Sequence, residues 1–194
     1  GDNLGPILWQ FPPMMRFHPE VFEAFFQLLP NSTSEAAAIA RRHDQRLEGR
    51  ASLLPGRNRR IRHAVEVRHD SFVTPGFIRL LRKYRIAWVV GDTPNPWPLY
   101  EDVTSDFIYV RLHGSTELYN SRYTDEELER WARFIHAWRE GGEPEDARLV
   151  CPTRSRPRAG RDVYCYFDNT DKRHAPDNAR ALMRLLGVRW APSM

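Results

Sequence analysis

Four apolar runs in this chain end on groups that can do chemistry: Glu66-Val67-Arg68-His69, Val90-Gly91-Asp92, Arg111-Leu112-His113-Gly114 and Phe167-Asp168-Asn169. Alternate residues of a strand share a face, which places Glu66 with Arg68, Arg111 with His113, and Tyr164 and Tyr166 with Asp168. Glu66, in an otherwise apolar strand, can pass a proton, bind a cation or pair with an arginine. Arg68 and Arg111 carry the fork that grips carboxylate or phosphate, or neutralises Glu66 and Asp168. His113 can serve as acid, base, metal ligand or structural hydrogen-bonding group, and Gly114 after it permits close backbone approach. The residues expected to carry catalysis are Glu66, His113 and Asp168, with Arg68, Asp92, Arg111, Tyr166 and Asn169 as ligand-binding groups. Asp92 and the Asp168-Asn169 pair also have the composition of turns and caps.

Several familiar chemistries find no support. His69-Asp70-Ser71 holds triad residue types, but neighbours in sequence do not form a triad, and no GxSxG elbow, GxGxxG fingerprint or GxxxxGK[ST] loop occurs. The carboxylates and His113 are competent divalent-metal ligands, yet their spacing encodes no zinc or calcium motif, so the cofactor is left unknown. Cys151 and Cys165 do not form a CxxC pair, and both are expected as reduced thiols.

The positioning elements follow from periodicity. Strands are expected at Pro6 to Phe11, 64–68, 86–90, 107–112 and 163–167. Helices are expected from Pro19, with Val21, Phe22, Phe25, Leu28 and Leu29 on its apolar face, from Thr33 behind a Ser32/Glu35 capping box, and from Pro75. Two more follow: one behind the Thr124/Glu127 capping box, burying Leu128, Trp131, Ile135 and Trp138, and one over Pro176 to Leu186, burying Leu182, Met183, Leu185 and Leu186. Pro55-Gly56 is expected as a turn, and Trp97 in the Pro94-Asn95-Pro96-Trp97-Pro98 loop is placed to cover a ligand. Strand–helix alternation without an internal repeat or composition break gives a single α/β domain over 1–194 with parallel strands. The polar strand ends then gather at one edge of the sheet, where such folds place ligand sites.

Charge is distributed unevenly around a formal net of +4. Arg41, Arg42, Arg46, Arg50, Arg57, Arg59, Arg60 and Arg62 form one basic region, and Arg154, Arg156, Arg158 and Arg161 a second. Asp125 through Asp146 is acidic. The basic regions read as a solvated surface or as a phosphate-binding face. No apolar run approaches the roughly 20 residues of a membrane span, and the opening residues do not form a signal peptide, so the expected compartment is the cytoplasm.

Taken in order, Leu4-Gly5-Pro6 through Gln10-Phe11-Pro12-Pro13, Glu66-Val67-Arg68-His69 with Ser71-Phe72, Asp92, Tyr123 to Leu128, Arg111-Leu112-His113-Gly114 and Tyr166-Phe167-Asp168-Asn169 resemble the YecE-like family, domain-of-unknown-function family 72. The resemblance covers nearly the whole chain and implies a TIM-type β/α barrel, similar to sugar-isomerase and apurinic-endonuclease barrels. By that resemblance the five strands are barrel strands four to eight and the first three β/α units are absent, as in a C-terminal, N-terminally truncated portion of a family member. A barrel ordinarily takes roughly 250 residues, so the fragment is expected to be aggregation-prone or completed by another chain or a missing N-terminal segment. The expected function is a polar or phosphate-ligand site at the C-terminal end of the strands, serving a metal-dependent hydrolase, isomerase or nuclease. The alternatives are a non-catalytic nucleic-acid-binding protein or a structural, interacting one.

Overall fold

The computed structural model describes residues 4–51, 53, 56–170 and 174–189. Pro55 of the expected turn lies outside them. Five strands, β1 Ile7–Gln10, β2 His63–Glu66, β3 Ala87–Asp92, β4 Phe107–Leu112 and β5 Asp162–Phe167, form one sheet in the order β1-β2-β3-β4-β5. Every neighbouring pair is parallel, with Gln10 beside Glu66, Gly91 beside Arg111, and Arg111 beside Tyr166. The sheet is open and curled, a half-barrel flanked by helices α1 Pro19–Leu28, α2 Thr33–Ala40, α3 Pro75–Tyr84, α4 Asp125–Arg139 and α5 His174–Leu185.

Local sequence explains the helix starts. Pro19 and Pro75 sit in the first turns of α1 and α3, where their missing N–H costs nothing. At α4, Thr124 accepts from the Glu127 amide while Glu127 accepts from the Thr124 amide, a complete capping box. At α2 only half of the expected box forms: Ser32 caps Glu35, but the Glu35 carboxylate reaches the amide of Asn31 instead.

Alternation along the strands sorts the core into two layers. Val65, Trp88, Val90, Ile108, Val110 and Leu112 face the helices, meeting Phe22 and Phe77 on one side and Trp131, Phe134 and Trp138 on the other. Ala64, Ala87, Val89, Phe107 and Tyr109 line the concave face. Phe22, Leu128 and Trp131 are buried as expected, and Phe25 and Leu80 half-buried. Val21, Leu28 and Leu185 are exposed instead. The α1 stripe runs through Phe22, Phe26 and Leu29, and the α5 stripe through Asn178 and Leu182, which turns the neighbouring positions outward. Both cysteines are free thiols. Among the described residues no helix is long and apolar enough to cross a membrane.

Candidate functional site

The sheet's alternation decides which polar strand ends meet. Gln10, Glu66, Arg111, His113 and Asp168 continue the concave face and converge at the C-terminal ends of the strands. β2 ends at Glu66, so Arg68 lies on the following connection, and its guanidinium folds back with Nε and Nη2 each 2.8 Å from Glu66 Oε1. Arg111 donates through Nη1 to Glu66 Oε2 and to Gln10 Oε1 at 2.7 Å, while its Nη2 lies 2.6 Å from Asp168 Oδ2. The chain of charges is therefore Arg68, Glu66, Arg111, Asp168: two cations and two anions, all largely buried.

His113 closes this chain. Its Nδ1 lies 3.5 Å from Asp168 Oδ2, longer than a normal N–H···O bond, and among the described residues neither ring nitrogen has a hydrogen-bond partner although the residue is only 1% exposed. Burial holds its pKa below the ordinary value, with Glu66 pulling upward and Arg111 downward, which leaves a neutral imidazole at pH 7. His63, at the other end of β2, is equally buried and sharply different: Nδ1 accepts from the Trp9 indole at 3.0 Å and Nε2 contacts the Pro30 carbonyl at 2.8 Å. His63 is a satisfied core histidine; both ring nitrogens of His113 lack a partner among the described residues.

Aromatic side chains roof the imidazole. Trp97 stands edge-on to it at 6.0 Å between centroids and is held by the Arg68 guanidinium 3.9 Å above its ring. Tyr119 stands at 5.6 Å, on a turn whose amide donates to the His113 carbonyl at 2.6 Å. That turn requires Gly114: its φ is +108°, and a Cβ there would lie 2.5 Å from the Glu117 carbonyl oxygen. Tyr166 lies on the concave face beside Arg111, stacked on Tyr109 with ring centroids 5.1 Å apart, and leaves 45% of its surface open. Burial pushes the Tyr109 hydroxyl up to about 12, so it stays protonated at neutral pH.

Two expected ligand groups are placed elsewhere. Asp92 pairs in register with Leu112 and points to the helix side, hydrogen-bonded to the Tyr123 hydroxyl and the Trp131 indole. Burial raises its pKa, with those two bonds opposing. Asn169 is fully buried, donating through Nδ2 to the Ser121 carbonyl at 3.0 Å and to Asn178 Oδ1 at 2.9 Å, and so ties β5 to α5 and the loop before α4. Gln10 and Tyr119 were missed as site residues. Gln10 carries a usable signal, since it alternates with Leu8 and ends a strand on the same side as Glu66. Tyr119 carries none, because its approach to His113 depends on the backbone of the turn. Among the described residues, no group of three or more His, Cys, Asp or Glu side chains is placed to hold a metal ion. Arg111 stands between Glu66 and Asp168 and occupies the position a cation would need.

Comparison with known proteins fits this geometry. A family model described as protein of unknown function DUF72 matches residues 1–193. A DUF72 family protein of Thermotoga maritima superposes with a TM-score of 0.66 at 21% identity, over 96% of this chain and 59% of that one. A DUF72 family protein of Enterococcus faecalis superposes with a TM-score of 0.60 at 16% identity, over 97% of this chain and 62% of that one. The chain thus spans about three fifths of the length of these solved structures, and the likeness speaks for the fold. No curated protein matches it.

Proposed function

This chain belongs to the DUF72 family, and we propose that the C-terminal end of its sheet binds a small anionic, hydroxyl-bearing ligand, with His113 and Asp168 as a proton-transfer pair. The observation that supports the reading is the buried imidazole with two unpartnered nitrogens beside a carboxylate. Uncompensated burial of such a group costs on the order of 1–3 kcal/mol, which a ligand hydrogen-bonded to the ring would recover. The arrangement also offers a switch. Asp168 Oδ2 contacts both Arg111 and His113, so a ligand anion that takes Nη2 of Arg111 frees Asp168 to orient Nδ1 of His113. Nε2 then faces the ligand as a base, Tyr166 provides an aromatic floor, and Trp97 and Tyr119 exclude water from above. Hydrolase, isomerase and nuclease chemistry all draw on such a base. The two open sheet edges, β1 and β5, and the shorter span relative to the family's solved structures support reading the five strands as part of an eight-stranded barrel whose remaining units complete the mouth.

The test is titration with a panel of hydroxy acids and sugar phosphates, followed through the His113 ring nitrogens by NMR. A binder should shift these resonances and fix one tautomer. Arg111→Ala should weaken it by about 1.5–3 kcal/mol, with circular dichroism reporting whether the fold survives and Arg111→Lys retaining part of the affinity. Unchanged affinity in both Arg111→Ala and His113→Ala would remove these residues from the site.

A further inference from the structure

The opposite end of the sheet carries a different constellation. Between the end of α3, the segment entering β4 and the loop before β5 runs a groove of about 740 Å³, lined among the described residues by seven arginines and a single carboxylate, Asp106. Asp106 is committed to Arg60. Among the described residues Arg85, Arg156 and Arg158 make no ion pair, and all three are exposed. At the floor lies Arg161, only 5% exposed, which donates to the Gly142 and Arg156 carbonyls and the Ser155 hydroxyl while its Nε has no partner. The Glu143 carboxylate acts on Arg161 through space but is not bonded to it, and a buried guanidinium so placed gains from an anion that joins it directly.

The loop presenting these groups is anchored before any ligand arrives. Ser155 N donates to Glu143, Arg154 donates to the Pro144 and Glu145 carbonyls, and Arg158 N donates to the carbonyl of Gly141. Gly141 has φ +88°, and a Cβ there would fall 1.8 Å from the Arg158 carbonyl oxygen, so that close approach needs glycine. The cost of ordering is met in the fold rather than at binding.

We propose that this groove is a binding site for a compact oligophosphate anion, one carrying two or more adjacent phosphate groups, with Arg161 as the deep contact and Arg85, Arg156 and Arg158 closing over it. The volume suits a small ligand. The lining holds no aromatic side chain on which a base could stack, which sets it apart from single-strand nucleic-acid platforms. A recessed, pinned floor also favours a compact anion over an extended backbone lying across the surface.

Calorimetry with inorganic diphosphate as the probe tests this on the full chain. Binding should weaken about tenfold or more in the exposed double variant Arg156→Ala/Arg158→Ala, fall steeply with salt, and be unchanged in Arg180→Ala, an exposed arginine of α5 outside the groove. Arg161→Lys, which keeps the charge, provides a second variant and should lose affinity through the lost fork. No diphosphate binding, equal binding by the double variant, or an equal loss in Arg180→Ala overturns the proposal. So does length-dependent oligonucleotide binding that diphosphate does not displace, which would assign the groove to a nucleic-acid backbone instead.

Discussion

The two ends of this sheet are built from the same strands and treat charge in opposite ways. Glu66 ends β2 and Arg60 precedes it; Arg111 lies near the end of β4 and Asp106 precedes it; Asp168 follows β5 and Arg161 precedes it. At the C-terminal end two arginines and two carboxylates neutralise one another, and among the described residues a neutral histidine has no hydrogen-bond partner on either ring nitrogen. At the N-terminal end arginines outnumber carboxylates seven to one around the groove. The six residues from Arg60 to Glu66 put the two sets roughly 20 Å apart. The first set is internally neutral and the second carries an excess of positive charge.

The largest effect that can break this contrast is at Glu66. It is buried and is the carboxylate to which both Arg68 and Arg111 are bonded. Glu66→Ala leaves two cations facing each other without their shared anion and should cost about 3–5 kcal/mol in urea unfolding. A cost below 1 kcal/mol would mean that the network is solvated and the neutral-site description is wrong. The next effect concerns the support beneath the site. Asn178→Ala removes the partner of the Tyr123 amide, the Tyr123 carbonyl and the Asn169 amide in one step, and should cost about 2 kcal/mol or more. If it instead altered ligand affinity with stability intact, Asn169 would belong to the ligand site and not to the clasp.

The sequence made the strand ends legible because period-two alternation and polar termini are local signals. Glu66, Arg111, His113 and Asp168 come together as their faces predict, and Arg68 joins them by folding back from the connection after β2. Asp92 did not, and the reason is register: Gly91, not Asp92, lies beside Arg111, so the carboxylate falls on the helix side of β3. The tie from Asn169 Nδ2 to Asn178 has no local signal either, since Asn178 is nine residues away on another element. The acids Glu101 and Asp102 gave no functional signal, yet they hold the 148–151 segment by accepting from the amides of Arg148, Val150 and Cys151. Such side-chain-to-backbone ties across more than forty residues have no local pattern.

A smaller effect separates the two buried histidines. Burial lowers the pKa of both His63 and His113, so the unfolded chain takes up a proton first, near its ordinary value of about 6.5. Stability is intact above that pH and is lost as pH falls from it toward the folded-state values, by up to about 1.4 kcal/mol per pH unit for each histidine. Burial raises Asp92, Glu101 and Asp102, whose contributions run the other way, present at low pH and lost as pH rises through their folded values. Comparing wild type with His113→Gln cancels those shared contributions. The variant should lose part of the acid slope between pH 6.5 and 5.5 and keep the share due to His63. An identical slope would show that His113 takes up its proton alike in the folded and the unfolded chain.

The smallest stability effect belongs to Asp106, and it sharpens the contrast most. Burial raises its pKa, but Arg60 and Arg62 outweigh that and hold the carboxyl below its ordinary value. Its stabilisation is therefore present above about pH 3.9 and lost as pH falls through the folded value. The Arg60 side chain is 40% exposed, so solvent screens the pair and its worth is about 1 kcal/mol or less. Asp106→Asn should consequently shift the unfolding midpoint little at neutral pH and not at all near pH 2. It also deletes the lone carboxylate of the groove and releases Arg60, so diphosphate affinity should rise about two- to tenfold, with a steeper salt dependence. Removing an acid would then damage one end of the sheet and improve the other. If Asp106→Asn lowers affinity, Asp106 is orienting Arg60 for the ligand, and the N-terminal end is a shaped charge pair rather than an excess of positive charge.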